Sequence, residues 1–329
     1  MNRQRILIIA PAWVGDLVIS LSFINALKKI HKDSEIDLLV NDNLLDIAKY
    51  FSDVSNVIAT HTKHGKLSLL YRISLGLKLR KKNYHYCYIL TNSLKSSIIP
   101  FIAGIKHRIS YLGEFRYGLV NRIIRKIDRK EGMANRYLNL INHRYKPEFR
   151  PNLASKINNT NILDKYDIKE KYIVFCPDAE YGPAKKWPIK KWIDLANSIH
   201  DDYQVVFVGI DGSITASTHK IKSHNYINLI GKTSLEDALI ILSQSTCVVS
   251  NDSGLMHVAA ALNRPVVGIY GSSSPEYTPP LIEKDKKVIM YEDLSCSPCF
   301  KRICPLEHMN CLENISVNSV RQSISKLIQ

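Results

Sequence analysis

The chain has 329 residues, 45% apolar and 23% charged, a length that suits about two domains and buries enough core to need neither disulfides nor metal staples. Forty-five Lys and Arg against 30 Asp and Glu leave a formal net charge of +15. Part of that can reflect Lys-rich codon usage, and the rest asks for an anionic partner: nucleic acid, an anionic membrane surface or a phosphorylated substrate. No stretch supplies the ~20 apolar residues of a bilayer span. The short apolar run behind Arg3 and Arg5 lacks a leader's cleavage pattern. Seven Cys, an odd number, fit a reducing compartment. The expected location is therefore cytoplasmic, with peripheral contact to a membrane.

"RILIIA" (5–10) is short, continuous and β-branched, as a buried strand should be. The helix that follows starts near Asp16 and sets Leu17, Leu21, Ile24 and Leu27 on one face. Between them lies "PAWVGD", where a turn at Gly15 presents Asp16 at the strand end, either as a helix cap or as an acid held at a reacting centre. Further strands are expected at "EIDLLV" (35–40), "NVIAT" (56–60) and "YCYILTN" (86–92). Residues 142–171 are polar, contain two prolines and show no sustained period, which marks an interdomain linker. The alternation then restarts with "YIVFC" (172–176), "QVVFVG" (204–209), "YINLIG" (226–231), "CVVS" (247–250) and "PVVGIYG" (265–271). Thr233 and Glu236 form a capping box for the helix "LEDALIILSQ". The pattern predicts two doubly wound α/β domains, 1–150 and 151–329, with ligands beyond the carboxyl ends of their strands.

Four segments can carry chemistry. "VVSNDSGLMHVAAALNRPVVGIYG" (248–271) runs from a strand through Asp252, Ser253 and Gly254 into a helix holding His257. Free N–H groups at such a helix start cradle a phosphate, and the same residues also suit a plain capped helix. "CPDAEYGPAKKWP" (176–188) places Lys185 and Lys186 after a forced loop, where one of them can neutralise a diphosphate. Residues 91–130 hold nine bases (Lys95, Lys106, Arg108, Arg116, Arg122, Arg125, Lys126, Arg129, Lys130) against Glu114 and Asp128, interleaved with apolar residues. That composition suits anionic lipid, a phosphorylated glycolipid or nucleic acid. Cys296, Cys299, Cys304 and Cys311 follow a C-x2-C-x4-C-x6-C spacing, open to zinc, disulfides or free thiols. The G-x-G-x-x-G dinucleotide fingerprint is absent, and nothing resembles an RRM, KH or helix-turn-helix module.

Taken in order, "PAWVGD", "NSLKSSIIPFIAGI", "GEFRYGLVN", "CPDAEYGPAKKWP", "NDSGLMHVAAALNRPVVGIYG" and "SSSPEYTPP" resemble the ADP-heptose:lipopolysaccharide heptosyltransferases of inverting glycosyltransferase family nine, over residues 5 to about 280. The resemblance implies a GT-B fold, two Rossmann-like domains facing across a cleft, with acceptor on the N-terminal and ADP-sugar donor on the C-terminal domain. It implies transfer of L-glycero-D-manno-heptose from ADP-heptose to the first heptose of heptosyl-Kdo-lipid A, a phosphorylated lipopolysaccharide inner-core acceptor at the inner membrane. Asp16 would be the general base and Lys185 would stabilise the departing ADP, with Glu180, Asp252, Ser253, Gly254 and His257 as further donor residues. Asn92, Lys95, Arg116 and Tyr117 would meet the acceptor. No cofactor and no obligatory metal are implied, because no D-x-D motif stands at a donor position. "GIDGS" offers Asp211 but not the Glu by which a related first-heptose enzyme contacts its donor, so ribose recognition stays unassigned, and the four-Cys tail looks accessory. Two other readings remain: a related transferase with another acceptor, and a non-catalytic basic nucleotide- or nucleic-acid-binding protein.

Overall fold

A computed structural model describes residues 4–62, 66–125, 128–154, 157, 161–199, 203–212, 215–222 and 225–329. The chain divides into two units, Met1–Pro151 and Asn152–Gln329.

Unit one contains β1 (Arg5–Ile9), α1 (Val14–Ile30), β2 (Glu35–Asn41), α2 (Leu45–Ala48), β3 (Asn56–Thr60) and α3 (Leu69–Arg80). It continues with β4 (Tyr86–Ile89), α4 (Ile98–Ile102), β5 (His107–Tyr111), β6 (Arg122–Ile124) and α5 (Met133–Leu138). Its six strands are parallel, in the order β3-β2-β1-β4-β5-β6. Unit two contains α6 (Asn161–Lys165), β7 (Tyr172–Cys176), α7 (Ile189–Ser198), β8 (Gln204–Phe207), β9 (Tyr226–Asn228) and α8 (Leu235–Gln244). Then come β10 (Cys247–Asn251), α9 (Gly254–Ala261), β11 (Val266–Tyr270), β12 (Lys287–Tyr291), α10 (Asn310–Glu313) and α11 (Val317–Ile328). Its parallel sheet runs β12-β11-β10-β7-β8-β9, which counted within the unit is the same order as the first.

The central strands are unbroken apolar runs because helices cover both faces of each sheet. Every residue of β7, β10 and β11 is buried. In unit two, Phe175, Phe207, Trp187 and Trp192 pack with Val320 and Ile324 of α11. The expected face of α1 is buried, and so are Val18, Ile19 and Phe23, making it an interior helix.

Several expectations shift. α1 begins at Val14, with Trp13 as its N-cap, so Gly15 lies in the first helical turn and is not among the glycines of positive φ. The cap of α8 is Ser234, which accepts from the Asp237 N–H at 3.0 Å, one residue beyond the expected Thr233–Glu236 box. Strands β5, β6 and β12 were not expected. Basic residues interrupt β5 and β6, and β6 and β12 are sheet edges whose residues are at most half-buried. The polar stretch 142–171 is shared between the units: Phe149 packs beside Ala26 of α1, while α6 belongs to unit two.

Candidate active site

Strand order fixes where a ligand can reach. Each sheet reverses direction once, between β1 and β4 in unit one and between β7 and β10 in unit two. Chain leaving adjacent strands there diverges, and a crevice opens beyond their carboxyl ends. The four loops at these points carry Asp16, the Asn92–Ser97 turn, Lys185 and Asp252.

In unit two, Lys185 closes a single 3-10 turn, Pro183–Lys185. Its ammonium stands 2.5 Å from Asp252 Oδ2, with the lysine side chain 18% exposed and the aspartate 3%. The Ser273 hydroxyl donates to the same oxygen, and His257 Nε2 lies 3.9 Å from the other. Asp252 is therefore not presented to ligand; it is a buried anchor that holds Lys185 in place. Asn251 ties the two loops together, donating to Pro177 O at 2.5 Å and accepting from the Trp187 N–H at 3.1 Å. Lys186 turns away to pair with Asp211, so the two adjacent lysines have separate tasks.

α9 starts two residues after Asp252, at Gly254. Its N-cap, Ser253, leaves the helix without a side-chain cap; the Ser253 hydroxyl sits 3.2 Å from that of Ser250. Ser253 therefore takes the N-cap position, one of the two residues suited to it, but its side chain makes no capping hydrogen bond, and Asp252 is not the cap. The first-turn N–H groups beginning at Gly254 have no intrahelical acceptor, and the helix dipole favours an anion there. His257, one turn in, is buried, and burial pushes its imidazole down to about 4 against the pull of Asp252. It is uncharged at neutral pH, and its Nδ1 has no partner. Glu180 is exposed on the loop ahead of Lys185.

Sequence reasoning passed over several residues that build this site. Asp178 accepts from the Ile210 and Asp211 N–H groups at 2.7 and 2.8 Å, and burial raises its pKa. A Cβ on Gly209 would stand 2.1 Å from that carboxylate, so any side chain there would push Asp178 out of place. The Tyr181 ring has Lys185 Nζ 5.1 Å from its centroid and the Arg302 guanidinium at 5.2 Å. Arg302 comes from the Cys-rich segment, which is stitched to these loops. Ala184 N–H donates to Arg302 O, Tyr181 OH to Phe300 O, Phe300 N–H to Ser272 O and Ser297 OH to Gly271 O. The tail expected to be accessory therefore braces the lysine loop. None of the seven cysteines is joined in a disulfide. Burial and its three neighbours, Cys304, Cys296 and Cys299, raise the Cys311 pKa. Among the described residues, no group of three or more His, Cys, Asp or Glu is placed to hold a metal ion.

In unit one, Asp16 is the third residue of α1, half-buried beyond the β1 end. Asn92 is exposed, Lys95 partly so, and Tyr117 is 63% exposed. Arg116 departs from its expected role as an acceptor contact. It is fully buried, and its guanidinium donates to Ser93 O, Ser96 Oγ, Ser97 Oγ, Ser110 Oγ and Tyr111 O at 2.6 to 3.3 Å. It holds the Asn92–Ser97 loop from beneath, while Gly113 lies so close to Asn92 O that a Cβ would come within 2.5 Å. Arg108 is likewise spent on the carbonyls of Leu119, Ile105 and Gly118. Two of the nine bases read as a lipid-facing surface are thus internal braces, and Lys126 lies outside the described residues.

Two Rossmann-like parallel sheets in one chain, each presenting loops at its switch point, are the architecture of GT-B glycosyltransferases, and the protein is an enzyme of that class. Residues 72–310 match glycosyltransferase family 9 (heptosyltransferase), and the chain belongs to that family. Lipopolysaccharide heptosyltransferase 2 of Escherichia coli K12 is 36% identical over 306 residues, 87% of this chain and 88% of the relative. Its Salmonella typhimurium counterpart is 37% identical over the same shares. The solved structure of E. coli ADP-heptose lps heptosyltransferase II matches with a TM-score of 0.83 and 32% identity, covering 99% of this chain and 98% of that one.

Proposed function

We propose that the chain transfers L-glycero-D-manno-heptose from ADP-heptose to the first heptose of heptosyl-Kdo-lipid A in the lipopolysaccharide inner core, with inversion. The observation that carries this reading is Lys185, held by buried Asp252 beside the uncapped start of α9, in a chain 36% identical to a lipopolysaccharide heptosyltransferase 2. The diphosphate of the donor accepts from the N–H groups that begin at Gly254 and from Lys185, with Ser253 alongside. As the anomeric C–O bond breaks, charge grows on the ADP oxygen, and prearranged donors there stabilise the transition state without reorganising. His257 stays neutral and shapes the floor, Glu180 lies at the exposed edge, and Arg302 adds a second cation over Tyr181. On unit one, Asp16 takes the proton from the acceptor hydroxyl as that oxygen attacks, which requires hydrogen-bond reach and an ionised carboxylate. Asn92, Lys95 and Tyr117 border the acceptor.

No helix among the described residues is long and apolar enough to cross a membrane. Between Asp53 and Glu114 the sequence has ten Lys and Arg and no acid. Within that stretch α3 exposes Leu70 and Leu77 next to Lys78, Arg80, Lys81 and Lys82. Apolar side chains among bases suit an anionic lipid surface, which supports a cytoplasmic enzyme resting on the inner membrane. The test is incubation with ADP-heptose and heptosyl-Kdo-lipid A. One ADP should be released per heptose added, with the product mass raised by one heptose. No transfer, alongside tight RNA binding, would replace this reading with a non-catalytic one.

A further inference from the structure

Unit one holds a cavity of about 110 Å³ beyond the ends of β1 to β4, lined by Ala12, Asn41, Arg72, Thr91, Lys95 and neighbouring side chains. A single water needs only ~10–15 Å³ by the same measure, so the space takes several waters or a tetrahedral oxyanion. Its lining is one-sided in charge and in hydrogen bonding. Arg72, on α3, is 6% exposed and gives Nε to Leu67 O at 2.7 Å and Nη1 to Lys95 O at 3.0 Å. No carboxylate among the described residues pairs with it, and burial lowers its pKa, opposed only by the neighbouring Tyr71 phenol. A buried guanidinium whose partners are only carbonyls keeps its charge uncompensated.

Three further donors share the cavity. Asn41 accepts the hydroxyls of Thr60 and Thr62 on Oδ1 at 3.0 and 3.3 Å, which turns its NH2 to the other side as a donor. The Thr91 hydroxyl is buried without any partner. Lys95 brings an ammonium for which no carboxylate partner stands among the described residues. Two cations, an amide NH2 and an orphaned hydroxyl around one hole ask for an acceptor-only, negatively charged group. Ala12, on the wall, is four residues before Asp16 on the same loop-and-helix start.

We propose that this cavity is an oxyanion seat, in which Arg72, with Asn41, Thr91 and Lys95, binds a carboxylate or phosphate carried by the acceptor and so positions its hydroxyl for Asp16. The seat extends the acceptor side of the function proposed above and rests on that reading for its ligand, though not for its chemistry. Arg72 recognises the oxyanion as a planar fork, and Thr91 finds on ligand binding the partner that it lacks in the free protein.

The test uses the full chain with the nucleotide site saturated by ADP, so that added anions do not read out at α9. Inorganic phosphate and a free 2-keto sugar acid are titrated in turn, and the rise in thermal midpoint is recorded. Wild type should be stabilised by at least one of them, and Arg72→Gln should abolish the shift. In transfer assays Arg72→Gln should raise the acceptor KM about 10- to 100-fold, the range for hydrogen bonds to a charged group, with the donor KM unchanged. Thr91→Val removes an orphaned hydroxyl that holds nothing in the free protein, so it should keep wild-type stability and still raise the acceptor KM. Acceptor whose carboxylates are methyl-esterified, and acceptor stripped of phosphate, separate the two sources: the one that makes wild type behave like Arg72→Gln has lost the bound group. If both variants keep the wild-type acceptor KM and anion response, the cavity is not an oxyanion seat, whatever the enzyme transfers. If the anion shift depends on Arg72 but no heptose is transferred, the seat stands and the heptosyl reading falls.

Discussion

Replacing Lys185 by Met separates the two things that this lysine does. Its ammonium stands 2.5 Å from a carboxylate that is 3% exposed. At an effective dielectric of ~20 that approach corresponds to roughly 6–7 kcal/mol of attraction before desolvation is charged against it. Removing one member of such a pair strands the other, and the usual loss is about 3–5 kcal/mol. Because the lysine is 18% exposed and Ser273 still donates to Asp252, the lower end, about 3 kcal/mol, is expected. Trp187 and Trp192 are buried in unit two while Trp13 is 39% exposed, so tryptophan fluorescence in urea follows that unit. Adding Asp252→Asn to Lys185→Met removes the stranded charge and should restore stability to within about 1 kcal/mol of Asp252→Asn alone. Activity should not return: both lysine variants should lose about 10²- to 10³-fold in kcat, the scale of one missing electrostatic donor. Unchanged stability in Lys185→Met would show that the lysine does not neutralise Asp252. A double variant that regained its rate would show that the lysine does not act on the leaving group.

Other expected outcomes follow from the same geometry. His257 has a folded pKa of about 4 against 6.5 for the free side chain, so the unfolded chain binds the extra proton first. Its contribution is complete above pH 6.5 and is lost as pH falls toward 4. That amounts to about 3 kcal/mol, and His257→Leu should flatten this part of a pH series of urea midpoints. Arg116→Ala should cost about 3 kcal/mol of unit-one stability, because five acceptors lose a charged donor in a dry site; wild-type stability with a raised acceptor KM would instead return Arg116 to direct contact. Leu70→Asp combined with Leu77→Asp should weaken binding to anionic vesicles at least tenfold in a flotation assay while turnover on detergent-dispersed acceptor persists, and unaltered flotation would move the membrane face elsewhere.

The parts of the fold legible in sequence were those where the physics is local. β7, β10 and β11 declare themselves because strands covered on both faces must be continuously apolar. β6 and β12 do not, since an edge strand buries little and its residues keep the composition of a loop. The lysine loop and the α9 start were readable because proline, glycine and a polar cluster must sit where a strand turns into a helix. Which charges face ligand was not readable. Arg116 and Lys95 look alike in a basic stretch, yet one is spent on five internal acceptors and the other borders a cavity. The pairing of Lys185 with Asp252 and of Lys186 with Asp211 joins residues 67 and 25 positions apart, and only the fold brings them together. Arg72 was hidden for the same reason: its significance lies in having only carbonyls as hydrogen-bond partners and no carboxylate partner among the described residues.

Asp16 gave the least local signal and has the most direct test. Asp16→Asn keeps the size and polarity of the side chain on α1 and removes its capacity to take a proton. In single-turnover reactions with ADP-heptose and heptosyl-Kdo-lipid A, the account predicts a rate at least ~100-fold below wild type, the scale of a lost general base, with ADP affinity unchanged. A variant that transfers heptose at close to the wild-type rate would contradict it and leave Asp16 as nothing more than an acid in the first turn of a helix.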